Sequence, residues 1–288
     1  MRIRLVPLAS LACLFLAGPV YAAKVKSHRF NPQLLKAVDA NRTNEVKRAL
    51  RLGADPNAAD AKGMTALTHA ALKGEREICH VLITAGALVD WKGNSALTAA
   101  IASNDLPTIS AILPHEKNID ASGDETPLMF AADVGNLTVV KLLLDHGASV
   151  KISVGGGWTA LHSATFGMNR RPGAQPLPIT KLLLDHGAAI DAIAEYGGTP
   201  LMCAASVGDY DIVKLLLDRG AAVNIQEQTY GDTALMDATS AKSLPIVKLL
   251  LQHGADPSPR DVRGRTALDT AIADKQTDII KLLEQPHN

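Results

Sequence analysis

Thr199-Pro-Leu-Met-Cys-Ala-Ala205, followed fifteen residues after its threonine by Lys214-Leu-Leu-Leu-Asp-Arg-Gly220, decides the fold of this chain. The first phrase recurs as Thr65-Ala-Leu-Thr-His-Ala-Ala71, Ser95-Ala-Leu-Thr-Ala-Ala-Ile101, Thr126-Pro-Leu-Met-Phe-Ala-Ala132 and Thr159-Ala-Leu-His-Ser-Ala-Thr165. It returns as Thr233-Ala-Leu-Met-Asp-Ala-Thr239 and Thr266-Ala-Leu-Asp-Thr-Ala-Ile272, and the successive spacings are 30, 31, 33, 40, 34 and 33 residues. The second phrase recurs at Lys141–Gly147, Lys181–Gly187 and Lys248–Gly254. Two phrases linked in one register mean one helical hairpin repeated along the chain, and no single unit can bury its apolar face alone.

Each residue type in the phrases has a physical role. The Thr hydroxyl takes an orphan N–H at the start of the first helix. Pro127 and Pro200 fit the first helical position. Paired alanines keep the first helix thin, so neighbours approach closely. The Leu triplets supply the apolar stripe of the second helix, at about 1.5–3 kcal/mol per fully buried side chain. The closing glycines Gly53, Gly86, Gly147, Gly187, Gly220 and Gly254 predict left-handed helix ends. Read backwards, the register reaches Lys47 and the phrase Pro32-Gln-Leu-Leu-Lys-Ala-Val38, a degenerate first repeat. The last repeat stops at Lys281-Leu-Leu-Glu284.

A period of about 33 residues with a Thr-Pro-Leu-His-x-Ala phrase resembles the ankyrin repeat. The resemblance covers nearly all of the chain beyond its N-terminal segment. It implies an all-α solenoid of ankyrin repeats, helix-turn-helix units with short β-hairpin fingers, about eight repeats including degenerate caps. It also implies partner binding through the fingers and the adjacent concave helix face. The function expected is a non-enzymatic scaffold or adaptor for another protein. An immunity or inhibitor protein is the alternative, and an enzyme the distant one.

The chain has 288 residues, 47% hydrophobic but only 3% aromatic, which suits many thin helices better than one large aromatic core. Formal net charge is zero, so no strong field attracts nucleic acid, and none is expected as a partner. Arg2 and Arg4, the apolar run Leu5–Leu16, Gly18-Pro19 and the small residues around Tyr21 read as a secretory signal peptide over 1–22, cleaved after Ala22. A short segment, 23–30, and one repeat domain, 31–288, follow. Losing Arg2 and Arg4 leaves 27 basic against 29 acidic residues. The chain is expected in the periplasm, alternatively secreted, as a monomer with no stable membrane insertion once the signal is removed.

The register also disposes of tempting constellations. His146, His186 and His253 occupy one equivalent position in repeats four, five and seven. Packed helices lie about 8–10 Å apart, whereas zinc needs its ligand nitrogens within about 2.1 Å. They read as helix-end residues, as does Arg219. Cys79 and Cys203 lie four repeats apart, on the order of 40 Å, and are expected as free buried thiols. Gly155-Gly-Gly157 lacks the Lys-Ser/Thr ending of a phosphate loop and reads as a finger turn. In the ankyrin family a histidine at the place of His162 hydrogen-bonds near the finger. No catalytic residue, metal ligand or cofactor is expected.

What remains for function is irregular. Pro114-His115-Glu116 replaces an Asp-His-Gly ending, so that helix should stop early. Repeat five carries seven extra residues around Met168–Pro178. Trp91, Trp158, Tyr196 and Tyr230 fall in finger segments, and such residues dominate interface hot spots. These four are the expected partner-binding residues, with Arg170 and Arg171 of the insertion. The competing expectation is that each ring packs flat on the neighbouring finger.

Overall fold

The hairpins foreseen from the phrases form one after another in the computed structural model of the chain. It describes residues 29–91, 94–120, 125–167, 170–195 and 197–285. The signal peptide over 1–22, nearly all of the 23–30 segment, Tyr196 and the Trp91 side chain lie outside what is described. Sixteen α-helices and two short hairpins make up the described residues, an all-α solenoid architecture. No described helix is long and apolar enough to cross a membrane.

The chain divides into two compact units, Met1–Asn118 and Ile119–Asn288. The first holds α1 (29–39), α2 (Thr43–Arg51), α3 (Ala66–Leu72), α4 (Arg76–Thr84), α5 (Ala96–Ser103) and α6 (Leu106–Ile112). Its hairpin pairs β1 (Asp90–Trp91) with β2 (Asn94–Ser95). α6 ends early, as Pro114 and Glu116 required, and runs into a 3-10 turn over Leu113–His115.

The second unit holds α7 (Pro127–Asp133), α8 (Leu137–Asp145), α9 (Ala160–Phe166), α10 (Pro176–Asp185), α11 (Pro200–Val207) and α12 (Tyr210–Asp218). It continues with α13 (Ala234–Ser240), α14 (Leu244–Gln252), α15 (Ala267–Ala273) and α16 (Thr277–Leu283). β3 (Ser153–Val154) pairs with β4 (Trp158–Thr159). Within it α7, α9, α11, α13 and α15 pack in sequence order, as do α8, α10, α12, α14 and α16. The first helices meet through small residues: Ala131, Ala164, Ala204 and Ala238 are fully buried.

The capping phrase works as its chemistry dictates. Thr126, Thr159, Thr199, Thr233 and Thr266 each accept the backbone N–H three residues on, from Met129, His162, Met202, Met236 and Asp269. At the other end of a hairpin, Gly147 sits at φ 89°. There Ala148 N–H reaches back to the Leu143 carbonyl at 3.0 Å, a turn a side chain at Gly147 would strain.

The Leu triplets need a correction. Only the middle leucine of each, Leu143, Leu183, Leu216 and Leu250, is fully buried. Three consecutive helical residues sweep too wide an arc for one apolar face. Leu217 and Leu249 are buried as well, and the rest of the stripe comes from the residues before the lysine: Val139 and Val140, Ile212 and Val213, Ile246 and Val247. The histidines at the helix ends turn back on their own helices. His146 and His186 set Nδ1 2.8 Å from the carbonyl four residues back, and His253 does so at 2.9 Å. Arg219 instead reaches across to Asp185 of the preceding hairpin at 2.9 Å.

The insertion of repeat five is anchored to the preceding repeat. Arg171 N–H donates to the Val134 carbonyl at 3.3 Å, and Gln175 N–H to the Gly135 carbonyl at 3.0 Å. Gly135 is needed there, since a Cβ would stand 2.4 Å from the Ala174 side chain. The segment is folded onto the turn between α7 and α8.

Candidate functional site: an acidic, aromatic-walled cavity

The fingers of the second unit are stitched edge to edge. Glu195 N–H donates to the Gly156 carbonyl at 2.8 Å, and Val262 N–H to the Tyr230 carbonyl at 2.8 Å. The Gln226 amide donates to the Arg260 carbonyl at 2.8 Å, and Thr229 hydroxyl to the Glu195 carbonyl. Gly155-Gly-Gly157 is the turn of the β3–β4 finger, as expected. Side chains that point from these fingers toward the first helices are therefore held in place.

Trp158 is one of them. Its indole N–H donates to the Ser163 hydroxyl at 3.0 Å. The ring stands 5.1 Å from His162 and edge-on to Phe166 at 6.0 Å. Gly197 of the next finger lies against it, where a Cβ would meet the indole at 2.6 Å. The ring packs on its neighbours and still lines a cavity of about 320 Å³. Tyr230, 51% exposed, lines the same cavity. The structure thus brings together two of the expected aromatics, Trp158 and Tyr230. Trp91 belongs to the hairpin of the other unit.

Arg170 is partly buried. It turns back to donate to the carbonyls of Ala164 at 3.2 Å and Thr165 at 3.0 Å, and pairs with Asp209 at 3.5 Å. The open carbonyls at the end of α9 attract it. Arg171 anchors the insertion through its backbone.

His162 ties two repeats. Its Nδ1 accepts Thr159 N–H at 3.2 Å, so its Nε2 donates to the Gly198 carbonyl, 3.1 Å away on the next finger. It is fully buried, and burial lowers its pKa, which keeps the ring neutral.

The cavity floor is acidic. Glu227 accepts the N–H groups of Thr229 and Tyr230 and is satisfied by its own finger turn. The carboxylates of Asp232 and Asp237, unlike their backbone carbonyls, accept no hydrogen bond from the described residues. Burial raises the Asp232 carboxyl, with help from Asp261 and Glu227. Burial also pushes Asp237 up to about 8, with Asp232 and Glu227 adding to the rise. The finger acids Asp60 and Asp261 show the opposite behaviour. Backbone N–H groups of their own turns hold both below the usual carboxylate range. Among the described residues no three His, Cys, Asp or Glu converge as for a metal ion.

The sequence reading missed Asp237, Asp232 and Glu227. A signal existed: at the fifth place of the capping phrase the neighbouring repeats carry Ser163, Cys203 and Thr270, and this one carries an acid there. Cys203 lines the cavity, with its thiol 3.3 Å from the Gly197 carbonyl. Cys79 and Cys203 are free and buried, as expected. Burial pushes both thiols up to about 12, so neither supplies thiolate near neutral pH. At about pH 8 an alkylating reagent is expected to leave both unmodified in the native chain and to label both in denaturant. Peptide mass mapping checks this, and native labelling of Cys203 would contradict it.

Fold and site together define a helical-repeat protein that presents a preformed surface built from successive fingers. A family profile of ankyrin repeats, three copies in length, matches residues 34–123, 113–177, 173–227 and 220–287, and the chain belongs to the ankyrin-repeat family. It is 33% identical over 184 residues to the ankyrin repeat protein YahD of Escherichia coli, covering 62% of this chain and 90% of that protein. It is 32% identical over 170 residues to the ankyrin repeat protein nuc-2 of Neurospora crassa, covering 57% of this chain and 15% of that one. Identity to the B-cell lymphoma 3 protein homolog of Mus musculus is 28% over 179 residues, 58% of this chain and 38% of the other. The chain thus spans less than half the length of the fungal and mouse relatives. Ankyrin repeats mediate binding to other proteins.

Proposed function

We propose that this chain is a non-catalytic adaptor that holds a partner protein in an exported compartment, the periplasm of a bacterium. The observation that carries the binding reading is the cavity between successive fingers, where Trp158 and Tyr230 stand over a carboxylate that no described residue neutralises. Stitched fingers favour such a role, because a preformed surface loses little freedom on binding. The basic start, apolar run and small residues of 1–22 support export. The chain acts as a monomer, with no nucleic acid and no cofactor. A lone carboxyl of raised pKa also suits acid–base chemistry. Here the Cys203 thiol is pushed up to about 12 and supplies no thiolate near neutral pH.

Crosslinking in the exported fraction tests the reading. The unaltered chain is expected to capture a defined protein, and Trp158→Ala with Tyr230→Ala to lose at least nine-tenths of it. That loss corresponds to a tenfold or greater drop in affinity, modest for two hot-spot aromatics. Undiminished capture by both variants would remove the cavity from the function. An inhibitor is told from an adaptor by a one-to-one complex that abolishes the partner's activity. Absence of the chain from the exported fraction overturns the location.

A further inference from the structure

We infer that the cavity is a socket for one basic side chain, lysine or arginine, presented by the partner protein and held between Trp158, Tyr230 and the Asp237 carboxylate. This rests on the protein-binding reading above and names the chemistry of what is bound.

Three independent features point the same way. The first is charge. Glu227, Asp232 and Asp237 line the cavity, and among the described residues no lysine or arginine does. Glu227 is engaged by its own turn, which leaves Asp232 and Asp237 to meet an incoming charge. The second is the walls. Trp158, Phe166 and Tyr230 are all aromatic, and the face of such a ring attracts a cation while its area covers an alkyl stem. The third is depth and access. Asp237 stands on the inner helix α13, below the fingers, while Tyr230 and Ser206 are exposed. A cavity of about 320 Å³ lies at the small end of ligand sites. A side chain with its charge at the tip fits that arrangement, stem along the rings and head at the carboxylate. Arginine has an added advantage, since its flat guanidinium both stacks on Trp and pairs with a carboxylate in two bonds.

The empty cavity already carries the cost of this design. Burial holds Asp237 protonated up to about pH 8. The groups that face it are Cys203 on α11 and Glu227 and Asp232 on the preceding finger. Asp261, Arg263 and Arg265 of the following finger act on Asp232. None of the groups that act directly on Asp237 is a cation. A bound cation favours the ionised carboxylate, so binding expels the Asp237 proton. Affinity should therefore rise with pH until about pH 8 and then level off.

The test uses the full chain and four blocked pentapeptides, Gly-Gly-X-Gly-Gly, with X arginine, lysine, citrulline or glutamate. Titration calorimetry is run at about pH 6 and about pH 8, below and at the titration of the carboxyl. Arginine and lysine peptides are expected to bind, at least tenfold tighter at the higher pH and with proton release that varies with the buffer. Citrulline, which keeps the shape of arginine without its charge, and glutamate should bind at least tenfold more weakly. Asp237→Asn should abolish the pH dependence and cost at least tenfold in affinity. Trp158→Phe should weaken binding and keep the pH dependence. Equal binding of the citrulline and arginine peptides, or full binding by Asp237→Asn, overturns the socket. Methylguanidinium binding more tightly than the arginine peptide would assign the cavity to a free small cation and overturn the side-chain source. The outcomes stay separate from those of the capture experiment. A partner still captured by Asp237→Asn, but lost by Trp158→Ala, removes the socket and keeps the adaptor.

Discussion

Asp237→Asn is expected to stabilise the second unit by several kcal/mol at about pH 9 and to change it little at about pH 4. In the folded chain burial raises this carboxyl from the ordinary 3.8 to about 8. The folded state therefore holds the proton more tightly than the unfolded one. Stability is unaffected below the unfolded value, falls as pH rises through the window from 3.8 to about 8, and stays reduced above it. Each pH unit of that window costs about 1.36 kcal/mol. Asparagine has the same shape and no charge to bury, so the penalty disappears. The magnitude is comparable with the whole stability of a small domain, about 5–15 kcal/mol. Urea midpoints of the two chains across pH measure it. The gap should be near zero in acid and open steadily toward alkali; parallel curves would mean that Asp237 is ionised at little cost. Other carboxylates, such as Asp60 and Asp261, titrate in both chains and cancel in the difference.

His162→Ala should destabilise the same unit by about 3 kcal/mol. The ring is fully buried, so its removal leaves a cavity. It also strands the Thr159 N–H and the Gly198 carbonyl, one on each of two successive repeats. In a stack where each repeat leans on its neighbours, that break is felt at the interface between them. The pH behaviour runs opposite to that of Asp237. Burial lowers the pKa of His162, so its stabilisation is complete above the unfolded value and is lost as pH falls below it. The alanine variant should lose that acid limb. Chemical denaturation of both chains between about pH 5 and pH 8 checks both points. A variant within about 0.5 kcal/mol of the parent would show that the tie is dispensable.

The difference between these two residues shows where the sequence is informative. His162 stands at a place of the phrase where the family resemblance already implied a bond near the finger, and the structure supplies its acceptor, the Gly198 carbonyl. Asp237 stands at a place where neighbours carry Ser163, Cys203 and Thr270; the acid there is a departure from the phrase, but the phrase does not say what it faces. Trp158 was legible as a finger aromatic but not as one turned inward, because its direction depends on Ser163, Phe166 and the next finger's Gly197. Arg170 looked exposed because an insertion has no register to read. Its guanidinium went to the unsatisfied end of α9 instead of to solvent.

By itself the sequence determined the helical hairpins, their caps, their left-handed endings and the repeat-five insertion. These are local matters: a threonine caps the residue three places on, and a glycine ends the helix it follows. Only the tertiary structure decided the site. Trp158, Cys203, Tyr230 and Asp237 come from three successive repeats and meet because those repeats stack. The environment of the Asp237 carboxyl is set in part by Asp232 and Glu227 of its own repeat, and in part by Trp158 and Cys203, which lie one repeat or more away along the chain. No local pattern encodes it, and it is the physical reason that the binding chemistry became visible only in the folded stack.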